Sequence, residues 1–199
     1  VRRGLERFVG AVLNVLAVFI GSFRIRLLTI CGSLRAHSSN AALLDAVARL
    51  APPNVEVIIY AGLATLPLFN PDLDIEPAPL PVRGLRDAIV VADALIVSSP
   101  EYAHGVPGAL KNALDWLVSG VEIYGKPIAL LNPSPRSLHA HRQLAETLRT
   151  MGAALIDTAC LSLPIAGRGL DAAAITADEE LASTIRRAID TIVTETPVR

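Results

Sequence analysis

Ala94-Leu95-Ile96-Val97 is an apolar run with no polar residue alternating in it, and Ser98-Ser99 closes it. A strand of this kind is covered on both faces, as central strands of parallel sheets are. That requirement calls for helices above and below the sheet, and the rest of the chain supplies them. Strands are predicted over 26–31, 55–60, 94–99, 127–132 and 154–161. Helices are predicted over 39–50, 82–92, 107–118, 137–151 and 178–194. This alternation reads as α/β: an open, doubly wound parallel sheet of five strands in three layers. Ligands of such sheets sit at the carboxyl ends of the strands where the order reverses, here strands one and three.

A chain of 199 residues suffices for one such domain, and a hydrophobic fraction of 52% argues against disorder. A net charge of −1 gives no ground for nucleic-acid binding. Cys31 and Cys160 suggest no disulfide framework, so a reducing, cytoplasmic compartment is the expectation. His37, His104, His139 and His141 make no metal-ligand spacing with them, and no metal site is nominated. Residues 1–23 depart from the pattern. Arg2, Arg3 and Arg7 precede an apolar run over 8–20 that is short for a membrane span. A secretory or anchoring signal, an amphipathic docking helix and an extension ahead of the domain all fit. The initial Val1 is compatible with an alternative start codon. We read residues 1–23 as an extension outside the core and 24–199 as the folded domain, with membrane attachment through 8–20 as the rival reading.

The segment after strand one, 31–40, is polar and hydroxyl-rich, and an Ala/Leu-rich helix follows it. Strand, tight loop and helix start in that order make an anion site: backbone N–H groups, hydroxyls and the helix dipole converge there. Arg35 can grip a phosphate with two parallel hydrogen bonds, and Ser38, Ser39 and Asn40 are all good N-cap residues. An ordinary βα turn with a capped helix fits equally well. The loop contains neither Gly-x-Gly-x-x-Gly nor Gly-Lys-Ser/Thr, so a dinucleotide turn and a P-loop are disfavoured and a monophosphate suits it better. Cys31 reads as a small buried hydrophobe rather than a nucleophile. Strand three runs into a second loop over 98–108 whose prolines and glycines set the backbone. Such a loop can approach a flat heteroaromatic ring edge-on, and Tyr102 could line that ring or pack on its own helix. The connection over 63–81 carries five prolines, and a connection of that length usually covers a site.

Gly-Ser-Leu-Arg-x-x-Ser-x-Asn at 32–40, with Pro-Glu-Tyr-x-x-Gly-x-Pro-Gly-x-Leu-Lys-Asn-x-x-Asp-Trp at 100–116, resembles the NAD(P)H-dependent FMN reductase family. That family includes azo-, quinone- and chromate-reducing enzymes. Leu66-Pro67-Leu68-Phe69-Asn70-Pro71-Asp72 resembles it too, and the resemblance spans about 26–163. It implies a flavodoxin-like fold, bound FMN, NADPH or NADH as co-substrate, and a homodimer or homotetramer. By position, Ser33, Arg35, Ser38, Ser39 and Asn40 would hold the FMN phosphate. Pro100, Glu101, Tyr102 and Gly105 would border the isoalloxazine, largely through backbone, and Ser134 would join the cofactor site from the loop after strand four.

The implied reaction passes hydride from NAD(P)H to the flavin and then to a small acceptor such as a quinone, azo compound, chromate or free flavin. The cofactor carries that chemistry, so no catalytic acid, base or nucleophile is nominated. A flavodoxin-type electron carrier or flavin sensor is the alternative, and a nearly neutral chain disfavours a carrier that docks on a basic partner. Two departures from the family pattern stand out. Ala103 replaces the usual Asn and removes a polar contact near the flavin. The loop after strand four, usually Gly-rich, is Pro-rich and carries Arg136. Arg136 reads as a contact for nucleotide phosphates or, preferably, as the partner of a surface carboxylate. Leu110, Leu114, Trp116 and Leu117 give helix three more apolar surface than one sheet face needs. That surface suits an interface or burial within the chain.

Overall fold

β3 (Ala94–Ser98) is buried along its whole length, as its composition demands. In the computed structural model, which describes residues 24–197, it lies at the centre of a parallel sheet. The expectations for residues 1–23 fall outside the described residues. Around β3 run β1 (Ile25–Cys31), β2 (Val55–Tyr60), β4 (Pro127–Asn132), β5 (Ala154–Leu155) and β6 (Leu161–Ser162). The helices are α1 (Ser39–Leu50), α2 (Leu80–Val91), α3 (Gly108–Asp115), α4 (Leu138–Thr150), α5 (Ala172–Ala177) and α6 (Glu179–Glu195). The strand order is β2-β1-β3-β4-β5, with β6 on β4, so the order reverses between β1 and β3.

Alternation along each central strand builds two cores. Leu27 of β1, Ala94 and Ile96 of β3, and Ala129 and Leu131 of β4 face α1, α5 and α6. Leu28 and Ile30, Leu95 and Val97, and Ile128 and Leu130 face α2, α3 and α4. The three-layer, doubly wound reading holds. The apolar residues of α3 and the turn that follows it settle differently from the interface reading. Leu110, Leu114, Trp116 and Leu117 are all buried within this chain, with Trp116 at 0% exposure.

The single strand expected over 154–161 is broken in two. Asp157 and Thr158 resist burial in a sheet, and residues Asp157–Ala159 turn out of it as a 3-10 helix. Asp157 pairs with Arg149 at 2.6 Å on the outside. The chain then rejoins β4 three residues further along, with Leu161 opposite Leu131 where Leu155 lay opposite Ile128. Helix α4 ends where Gly152 adopts φ +80. Ala153 N–H then donates to Leu148 O at 3.0 Å, which satisfies a terminal carbonyl.

The Pro-rich connection is fastened down rather than loose. Asn112 of α3 accepts from Phe69 N–H at 2.7 Å and donates to Pro67 O at 2.9 Å, as a neighbouring strand would. Trp116 Nε1 donates to the same Pro67 carbonyl at 2.8 Å, and its ring meets Phe69 edge-on. Further on, Arg86 of α2 pairs with Asp74 at 2.8 Å and lies 3.6 Å from Glu122. Asp74 also accepts from Ser119, and that bond, with Arg86, holds its carboxyl below the usual carboxylate range.

Candidate active site

The loop after β1 is shaped by its own side chains. Gly32 N–H donates to Ser98 O at 2.8 Å, which draws the ends of β1 and β3 together. A Cβ at Gly32 would meet Ser99 Oγ and Leu110 Cδ2 at 2.9 Å, so the close approach needs glycine. Ser33 Oγ accepts from Arg35 N–H at 3.3 Å and turns the loop outward. Ser38 caps α1, accepting from Asn40 N–H at 3.2 Å. Asn40 is buried, and its Oδ1 accepts from Ser98 Oγ at 2.9 Å, which ties the start of α1 to β3. Burial pushes the Cys31 thiol up, and its Sγ lies 3.4 Å from Ser33 O. A thiol so placed is protonated at neutral pH, in keeping with a structural role.

The loop after β3 folds into a tight hairpin. Tyr102 and Gly105 exchange both backbone hydrogen bonds, at 3.1 and 3.0 Å, around Ala103 at φ 49 and His104 at φ 62. Both turn residues are left-handed, the geometry of a type I′ turn. Three contacts latch this hairpin to α4. Glu101 accepts from Ala140 N–H at 2.9 Å, Gln143 Oε1 accepts from Val106 N–H at 2.9 Å, and the His104 and His139 rings stack at 4.4 Å. The amides of Ala140 and His139 at the start of α4 hold the Glu101 carboxyl below its ordinary value. The loop after β4 is set by Asn132, which accepts from Ser134 N–H at 2.9 Å and donates to Ser137 O at 3.2 Å.

These three loops enclose an open cleft of about 220 Å3 at the reversal of strand order. Ser33, Arg35, Ser38, Ser39, Asn40, Pro100, Glu101, Tyr102 and Ser134 all line it. Gly105 does not; it closes the hairpin behind Tyr102. Ala103 does not line it either. The reading of 98–108 missed Ser99, and the loop motifs missed His37, Asn132 and Ser137, which also line the cleft. Arg136 makes no ion pair among the described residues, so the surface-carboxylate reading fails.

A model of the NADPH-dependent FMN reductase family matches residues 25–167, which cover all three loops. The chain belongs to this family. It is similar to the quinone reductase of Escherichia coli, at 34% identity over 116 residues, 57% of this chain and 62% of that protein. The chain thus spans about three-fifths of the first curated relatives it matches. A quinone reductase of Pseudomonas putida is 34% identical over 152 residues, 70% of this chain and 75% of that one. Among solved structures, the flavoenzyme NAD(P)H:(acceptor) oxidoreductase FerB of Paracoccus denitrificans superposes with a TM-score of 0.68 at 28% identity, covering 87% of this chain and all of that one.

For a member of the FMN reductase family the donor set of the cleft is suitable. Hydroxyls, one guanidinium and the N-terminal amides of α1 match a phosphate monoester. Glu101 is the only carboxylate among the described residues lining the cleft, so nothing there calls for a metal to bridge the phosphate.

Proposed function

We propose that this chain is an FMN-dependent oxidoreductase that takes hydride from NADPH or NADH and delivers two electrons to a small acceptor. Its class is a quinone, azo compound, chromate or free flavin, and the quinone reductase relatives favour a quinone. The observation that carries the reading is the cleft where the β1, β3 and β4 loops meet, lined by phosphate donors from the β1 loop and by residues 99–102 of the β3 loop. Ser33, Arg35, Ser38, Ser39 and the NH2 of Asn40 hold the phosphate. Pro100 and Glu101 present main chain to the ring edge, Tyr102, whose main chain is spent on the hairpin, offers its side chain, and Ser134 approaches from the β4 loop. When bound, FMN accepts hydride from the nucleotide and hands the electrons on. The chain orients it: the hairpin latch on α4 fixes Tyr102, and Ser38 and Asn40 fix the phosphate end. One cleft serves both substrates in turn, so acceptor and nucleotide compete.

No helix of the described residues is long and apolar enough to cross a membrane. The reading includes a cytoplasmic homodimer, or a pair of dimers, and a flavin domain that starts near residue 24 without residues 1–23. Anaerobic stopped-flow mixing of FMN-loaded protein with excess NADPH or NADH tests the reaction. Bleaching of the flavin absorbance within seconds to minutes by either nucleotide is expected. Persistence of the oxidised spectrum with both overturns it.

A further inference from the structure

A second groove, of about 370 Å3, runs beside the cleft. One wall is the flank of α1, with Ala41, Ala42, Asp45 and Arg49; the other is the segment 169–172 that leads into α5. The groove shares His37, Ser38 and Ser39 with the cleft, so the two hollows meet at the start of α1. At 1.5 Å rise per residue, Arg49 lies about 15 Å along the helix from Ser39. The walls are low. Ala36, Ala41, Ala42 and Ala172 are small, Gly169 has no side chain and sits at φ +66, and Leu170 is a half-buried apolar surface between them.

Two charged side chains stand in this slot with nothing to do. Asp45 and Arg49 are exposed and spaced i, i+4, with the acid N-terminal, an order that favours an ion pair on a helix. They form none with each other, and neither makes a side-chain hydrogen bond or ion pair among the described residues. As the basic residue of the last turn of α1, Arg49 also complements the helix dipole, which needs no groove. That account leaves Asp45 and the low walls unused. A flat ring between low walls, a ribose beside a carboxylate and a phosphate at hydroxyls use all of them.

We propose that the groove is an adenylate subsite, taking an adenosine 5′-phosphate moiety. Its phosphate end lies toward His37, Ser38 and Ser39. Its ribose hydroxyls donate to Asp45, and its base lies on Leu170 with the guanidinium of Arg49 over its face. Such a moiety is the distal half of both FAD and NAD(P)H, and either could supply it. The orientation rests on the proposed FMN phosphate site at 33–40.

The test is calorimetry on the full chain with AMP as probe, with and without saturating FMN. AMP is expected to bind both forms, less tightly with FMN present because the two phosphates approach each other at Ser38 and Ser39. Arg49→Ala and Asp45→Ala should each weaken AMP by about tenfold or more, the scale of one hydrogen bond to a charged group, while FMN affinity stays put. No AMP binding up to about 10 mM, the weakest range worth assigning to a site, overturns the subsite. So does AMP binding that ignores both variants. Competition then names the source. Displacement of AMP by FAD from protein without FMN assigns it to a dinucleotide flavin. Displacement by NADP+ or NAD+ from FMN-loaded protein assigns it to the co-substrate. Displacement by none of these overturns the inference. FMN titration alone reads the phosphate loop, so AMP binding without FMN binding would remove the proposed cofactor site and leave the groove.

Discussion

Arg35 stands exposed at the cleft with no side-chain partner among the described residues, so its guanidinium is available to a ligand. Arg35→Ala should weaken FMN binding by about 1.5–3 kcal/mol, the range for hydrogen bonds to charged groups. Fluorescence titration with FMN reads this directly, and the fold should be unaffected because the side chain supports nothing else. Asn40 is different, since its carbonyl holds Ser98. Its place in the motif could be read from sequence, but that second duty could not, because the partner lies 58 residues away. Ala103 shows a local mismatch. An alanine at φ 49 occupies a region that asparagine or glycine enters at lower cost. Ala103→Asn should stabilise the protein by about 0.5–1 kcal/mol, a fraction of the usual left-handed penalty, read as a higher urea midpoint.

Among the elements, α3 does two things at once. It backs the hairpin loop, and through Asn112 and Trp116 it pins the connection at 67–69. Asn112→Ala leaves Phe69 N–H without its acceptor while Trp116 still holds Pro67. A loss of about 1–3 kcal/mol is expected from a part-buried orphaned donor, measured by urea denaturation, with FMN affinity little changed. The Glu101 cap on α4 makes a pH-dependent contribution. Its folded pKa lies below its ordinary 4.5, so the stabilisation is complete above that value and is lost as pH falls through the lowered one. Glu101→Gln should therefore flatten the acid limb of stability between about pH 5 and pH 2, visible in unfolding midpoints across that range. Sequence showed β3 and the capped start of α1 because composition alone determines them. The start of α5 carries a sequence signal too: Asp171 before an alanine run, whose carboxylate accepts from Ala174 N–H at 2.8 Å. The break between β5 and β6 was less legible, because it depends on where β4 offers partners.

At the scale of the molecule, the cleft was only partly visible beforehand because three loops far apart in sequence build it. Two of them carried motifs. The third, after β4, departs from the family pattern, and Asn132 and Ser137 enter the site with it. The expected dimer surface on α3 is consumed by the chain's own core, so the proposed homodimer would have to use other faces. Leu68 at 84%, Val121 at 82% and Tyr124 at 78% exposure are apolar side chains free for that purpose. Light scattering at micromolar concentration should give a dimer mass or its double, and a strict monomer would count against the assembly.

The capture of Glu101 by the amides of α4 also bears on how ligands arrive. Hydrogen bonds to those amides leave the Glu101 charge in place but hold it at the start of α4, so at the β1 loop an approaching molecule meets Arg35 and the positive end of α1. That end of the mouth is biased toward anions, and the bias reaches outward only as far as dissolved salt permits, about 8 Å at physiological ionic strength. A phosphate-bearing nucleotide is drawn toward such an entrance, whereas an uncharged quinone finds it by diffusion alone. Raising the salt should slow the arrival of the first and leave the second as it was, so under the proposed alternation in one cleft the tempo would belong partly to the surrounding electrolyte.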